Sequence, residues 1–102
     1  MLRSLYASIS GLKNHQTRMD IIGNNIANVN TVGYKSSRVT FEESLSQLLQ
    51  GSTRAVGGGG GTNPMQVGLG MNLGSVDSRM NQGNLESTGL ITDLSIEGKA
   101  YF

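Results

Sequence analysis

The sequence predicts an α+β chain: one long N-terminal amphipathic helix of coiled-coil type, a glycine-rich linker, and short antiparallel β-strands of an incomplete β domain. Three observations predict it. Apolar residues recur with helical period from Leu2 to Val29, five consecutive glycines occupy 57–61, and the stretch after Met65 consists of short extended pieces bounded by Gly and Asn.

The helix is the most clearly written element. Leu2, Leu5, Ile9 and Leu12 are spaced 3, 4, 3, and after a gap of seven Met19, Ile22, Ile26 and Val29 repeat the same intervals. The stripe is narrow and close to a coiled-coil seam, with Gln16 where the missing apolar residue would fall. At 1.5 Å per residue, such a helix is about 45 Å long. Gly11 and Gly23 lie inside it, each about 1 kcal/mol worse than alanine. With Ala7 and Ala27 they form small pairs four apart, which either permit close approach of another backbone or are simply tolerated. Asn24, Asn25 and Asn28 are poor interior helix residues and imply a polar face with specific hydrogen bonds to make. Asn30 and Gly33 supply the residue types that a helix C-terminus favours.

Eight seam side chains at about 1.5–3 kcal/mol each give at most about 10–20 kcal/mol on full burial. A lone helix is marginal in water, because most helical stability comes from tertiary packing. Either the rest of the chain or another chain must therefore cover the stripe.

Residues 36–50 admit two readings. Val39-Thr40-Phe41 favours extended structure, whereas Phe41, Leu45, Leu48 and Leu49 behind Glu42-Glu43 read as a short amphipathic helix. Residues 51–64, with Gly57 to Gly61 followed by Thr62-Asn63-Pro64, read as a flexible loop or linker. Gln66 to Met71 and Gly74 to Met80 suit strands, Asn81-Gln82-Gly83-Asn84 a turn, and Leu85 to Thr88 another short extended piece. Asp93 to Gly98 alternates with period two and is expected to be a half-buried strand. The end on Tyr101-Phe102, where another strand should begin, reads as a truncation.

Composition narrows the function. An apolar fraction of 36% with 5% aromatics and 15 glycines makes a large core hard to build. Net charge is +1, so no bulk attraction to nucleic acid or anionic membrane follows, although residues 1–40 hold five Lys/Arg against one acid and 41–102 three against six. No cysteine means no disulfide and no thiolate metal site. No apolar run reaches the roughly 18 residues of a membrane span. Ser4, Ser8, Ser10 and Lys13 interrupt any secretory signal segment.

Catalytic chemistry finds no footing. The glycine run lacks the Gly-Lys-Ser/Thr ending of a phosphate loop, and Gly68, Gly70 and Gly74 miss the dinucleotide spacing by one residue. His15 is the only histidine, so neither a nucleophilic triad nor a histidine metal site can be assembled. Asp93 and Glu97 fall on one face of the expected strand with nothing to mark them as acid and base. Arg3, Lys13, Arg18, Lys35 and Arg38 are too sparse for a nucleic-acid footprint. The expectation is no enzyme, no cofactor, no metal, no nucleic acid and no membrane insertion.

The residues do resemble a known family. The leucine stripe from Leu2 to Leu12, then Met19-Asp20-Ile21-Ile22-Gly23-Asn24-Asn25-Ile26-Ala27-Asn28 and Thr31-Val32-Gly33-Tyr34-Lys35, resembles the N-terminal signature of the bacterial flagellar rod and hook axial proteins. Val67-Gly68-Leu69-Gly70, Gln82-Gly83-Asn84-Leu85 with Ser87-Thr88-Gly89, and Thr92 to Gly98 are similar to later segments of that family. Met1 to Tyr6, Val39-Thr40-Phe41 and Thr62 to Gly70 look most like its hook branch, with the distal rod as the alternative. One departure is Ala100, where the family has a second glycine before its aromatic pair.

The resemblance implies an axial-core helix over 1–33, a linker over 34–66 and the start of a β-rich domain over 67–102. It implies a structural subunit that polymerises into a helical tube with copies of itself and other rod and hook proteins. It further implies export by the flagellar type III apparatus without a cleaved signal, location in the hook and basal body, and transmission of torque for motility. The assembly interface it implies comprises Leu2, Leu5, Ile9, Leu12, Met19, Ile22, Gly23, Asn24, Asn25, Ile26, Ala27, Asn28 and Val29, with Asn30, Gly33, Tyr34 and Lys35 at the helix end. The apolar seam would meet a C-terminal helix and neighbouring subunits, and the asparagines would hydrogen-bond across subunit contacts. The alternative from another class is a monomeric module whose seam docks one partner helix.

Overall fold

The computed structural model describes residues 1–102. Helix α1 runs Leu2–Ala27, followed by β1 (Ser37–Glu43), β2 (Ser46–Gln50), β3 (Met65–Gly68) and β4 (Met71–Ser78). The helix and the short antiparallel strands give the expected α+β class.

The helix ends at its asparagines. The last regular bond is Asn28 N–H to the Asn24 carbonyl at 3.1 Å, and the Asn28 side-chain amide donates to the same carbonyl at 2.9 Å. Two tighter turns follow, Val29 N to Ile26 O and Thr31 N to Asn28 O, before Gly33 adopts φ +70°, a conformation open to glycine at little cost. The carbonyls left over at a helix C-terminus need donors. One comes from far along the chain: the Asn84 side-chain amide donates to the Val29 carbonyl, and the Asn84 carbonyl accepts from Gly33 N–H at 3.0 Å.

β1 pairs with β4, and β2 with β3, in two separate two-stranded sheets. β1 alternates, with Ser37, Val39 and Phe41 half-buried. The β2–β3 ribbon is antiparallel, with Ser46 opposite Gly68 and Leu48 opposite Gln66, and an irregularity falls between Leu48 and Gln50. Beyond it Thr53 pairs with Thr62 through backbone and hydroxyl bonds, the two Oγ1 atoms 2.7 Å apart.

Of the two readings of 36–50 the extended one holds, and two further expected extended pieces do not form. The short helix over Phe41 to Leu49 does not form, because its backbone is claimed by a distant segment: Ser44 N–H donates to Gly70 O and Leu69 N–H to Leu45 O. The strand over Asp93 to Gly98 is absent, as is the extended pairing of Leu85 to Thr88. A strand needs a neighbouring ladder. Here Gly98 N–H donates instead to Gln82 Oε1 at 3.0 Å, and Gln82 Nε2 donates to Ile96 O at 3.4 Å.

Two compact units are distinguished. One comprises Met1–His15 with Phe41–Gly74, the other Gln16–Thr40 with Ser75–Phe102. No side chain in either is fully buried.

Candidate assembly interface

α1 meets its own chain along one stripe: Ala7, Ser10, Gly11, Asn14, Thr17, Ile21, Asn25 and Asn28 are the helix residues drawn out of full exposure. Their spacing of three and four is helical, but all except Ile21 are small or polar. In the first unit, Asn14 Nδ2 donates to Met71 O at 2.6 Å, and Ser10 Oγ accepts from Met71 N at 3.4 Å while donating to Ala7 O. Gly11 leaves room for the Met71 sulfur, 3.9 Å from where a Cβ would stand. Arg3 reaches Gln47 Oε1 at 2.9 Å, and the rings of His15 and Phe41 meet edge-on at 5.6 Å.

In the second unit Asn25 organises the chain reversal after the helix. Its Oδ1 accepts from Ser37 N and from the Tyr34 hydroxyl, both at 3.0 Å, and its Nδ2 donates to Ser37 O at 2.7 Å. A side-chain amide satisfying both backbone groups of one residue fixes that residue like a strand neighbour. Asn24 donates to the Tyr34 hydroxyl at 3.3 Å, and Asn28 Oδ1 accepts from Thr31. Lys35 Nζ donates to Asn81 O at 2.6 Å. The three asparagines, assigned from sequence to contacts between subunits, thus all bond within the chain, each with both side-chain polar atoms engaged, Asn28 Nδ2 also donating to Asn24 Oδ1 at 3.0 Å. Asn30 is exposed at the turn.

The apolar seam lies elsewhere on the helix. Leu2, Leu5, Ile9, Leu12, Met19, Ile22, Ile26 and Val29 are all exposed, from 38% at Ile22 to 70% at Leu2 and Leu12. Gly23 faces open space, with nothing within 4 Å of its would-be Cβ, and Ala27 is exposed. The face that carries the hydrophobic driving force is the one the chain leaves bare. No helix is long and apolar enough to cross a membrane.

Sequence reasoning missed Asn84 and Gln82, the two side chains that satisfy distant backbone groups, and the holding role of Ser10 and Asn14. Ala7 and Gly11, flagged as a small pair, did mark the stripe. The polar residues between them looked like an ordinary solvated face.

The helix thus carries a bare apolar seam on one side and a small, polar stripe bonded to its own chain on another, and comparison with known sequences finds proteins similar to this chain. Residues 5–35 match the family described as flagella basal body rod protein. Over 102 residues the chain is 54% identical to the flagellar hook protein FlgE of Borreliella burgdorferi and 51% identical to that of Treponema pallidum, covering all of this chain and 23% and 22% of those proteins. It is equally 54% identical to the flagellar basal-body rod protein FlgG of Bacillus subtilis, covering 39% of it. In sequence the chain is similar from end to end to flagellar hook and rod proteins, as its motifs imply. It spans between about a fifth and two fifths of the length of these relatives.

Proposed function

We propose that this chain is part of a structural subunit of the bacterial flagellar hook or rod, built to polymerise through the seam of α1. The observation that carries the reading is the division of labour on the helix: small and polar residues hold the chain's own strands and turns, and every seam residue remains exposed. Apolar area of this size is stable in water only when something covers it. A helix of the same subunit beyond residue 102, together with neighbouring subunits, is the cover that the family resemblance suggests. Gly23 and Ala27 then serve close helix approach, and Asn24, exposed but bonded to Tyr34 and Asn28, exchanges those bonds for a neighbour's. Other rod and hook proteins adjoin the polymer, and export runs through the flagellar type III apparatus without a cleaved signal. Torque passes along the assembled tube, and no catalytic role is assigned to these residues.

The identity to a rod protein equals that to a hook protein, which keeps the rod as a second reading. The test is assembly of the full-length protein with Leu12→Asp and Ile26→Asp, followed by sedimentation and electron microscopy. Concentration-dependent tubes from the parent and none from the double variant are expected. A fixed-stoichiometry complex with one partner, and no polymer at any concentration, would replace this reading with the helix-docking module.

A further inference from the structure

The second unit holds a groove of about 390 Å³ whose walls include Arg18 from α1, Arg38 from β1 and Arg79 just after β4. Ile21, Ile22 and Val39 line it beside the polar Asn25, Ser36, Ser37 and Thr40. Arg38 shares its charge with Asp77 at 3.6 Å, whereas Arg18 and Arg79 are paired with no carboxylate. Asp20, the one acid on α1, accepts instead from Gln16 at 3.3 Å. The groove therefore presents three arginines, two of them without a carboxylate, over a mixed polar and apolar lining.

The same chain carries the complement. Between Arg79 and Lys99 there is no basic residue, and Glu86, Asp93 and Glu97 are interleaved with Leu90, Ile91 and Leu94. All three of these apolar side chains are exposed, Ile91 entirely. The segment belongs to no strand. None of residues 85–97 lines the groove of its own chain. Acids alternating with apolar side chains match arginines around isoleucine and valine in both charge and greasiness.

We propose that the groove lined by Arg18, Arg38 and Arg79 receives the acidic 86–97 segment of a second copy of this chain. The proposal rests on the polymerising reading above, and adds a lateral contact centred on the arginines that borders the helix seam at Ile22. Because its charges are exposed, it sets register and encounter more than raw affinity, and it weakens with salt.

The experiment uses the full-length protein in sedimentation velocity, with helix content checked by circular dichroism. Arg18→Glu with Arg79→Glu is one variant, Asp93→Lys with Glu97→Lys the other, and the two are also mixed in equal amounts. Each variant alone is expected to raise the critical concentration for assembly about tenfold, and the mixture is expected to return it to within about twofold of the parent. Rescue by mixing can come only from folded chains, so it separates a lost contact from a lost fold. Parent-like assembly by either variant, or a mixture no better than its components, would overturn the groove contact while leaving the seam reading standing. Loss with the arginine variant alone would assign the groove an occupant other than this segment and would equally overturn the proposal. A parent that never assembles would overturn both.

Discussion

The two faces of α1 invert the usual arrangement of a surface helix. In an ordinary globular domain the apolar stripe faces the core and the polar face meets water. Here the side turned to the chain is Ala, Ser, Gly, Asn, Thr, and the side turned outward is Leu, Ile, Met, Val. Hydrogen bonds contribute only about 1 kcal/mol each net, so the stripe positions the strands without strongly stabilising them. Apolar burial supplies the larger free energy, and in the proposed assembly it would come from covering the seam. Geometry comes from one face and driving force from the other.

The comparison breaks most visibly if the seam is charged. With Leu12→Asp and Ile26→Asp in the full-length protein, assembly should rise in critical concentration by more than about a hundredfold, since two apolar burials at about 1.5–3 kcal/mol are forfeited. Amide hydrogen exchange in the strands should meanwhile stay near the parent level, because neither residue touches them. Next in size is Gly70→Val. Gly70 has φ +113°, and a Cβ there would run into Ser10 Oγ and lie 3.3 Å from the Ala7 backbone. Strain and overpacking together predict a loss of about 2–4 kcal/mol in local stability, read as faster exchange at Ser44 and Leu69.

Asn25→Leu sharpens the comparison on the other unit. It removes an acceptor of two bonds and a donor of one, and should cost about 1–3 kcal/mol, seen as lost protection at Ser37 with the seam untouched. The smallest effect is expected from Arg38→Ala. Its ion pair spans 3.6 Å between side chains about half exposed, so thermal denaturation should shift by less than about 0.5 kcal/mol in stability.

How much of this was legible in the residues depends on how local the deciding forces are. The helix was, because its period is repeated through eight positions, and even its end was marked by Asn30 and Gly33. Leu45, Leu48 and Leu49 misled, since a short apolar run suits helix or strand and the choice was made by pairing with 65–70. Asp93 to Gly98 has strand alternation but no ladder, and alternation alone cannot supply one. The seam residues named from the period stand exposed, and their part in assembly is the proposal that the charged variants test. The Asn25 bracket depended on the path of residues 28–36, which no local pattern encodes, and Asn84 reached the helix end across more than fifty positions. Polar side chains acting at long range are where reading by period fails.

The pin between Thr53 and Thr62 has a consequence for how this chain can change over time. The bond holds the base of the glycine loop, so what lies above it is closed off from the ribbon below. Widening a closed loop adds only about 0.6 kcal/mol per doubling of its length. Gly57 to Gly60 can thus drift in number, or admit an inserted epitope, with the register of β2 against β3 unaltered. Gly61 cannot drift with them. A Cβ there would strike the Thr53 carbonyl and sit 3.1 Å from Ala55 N, making it the fixed stitch in an otherwise elastic hem.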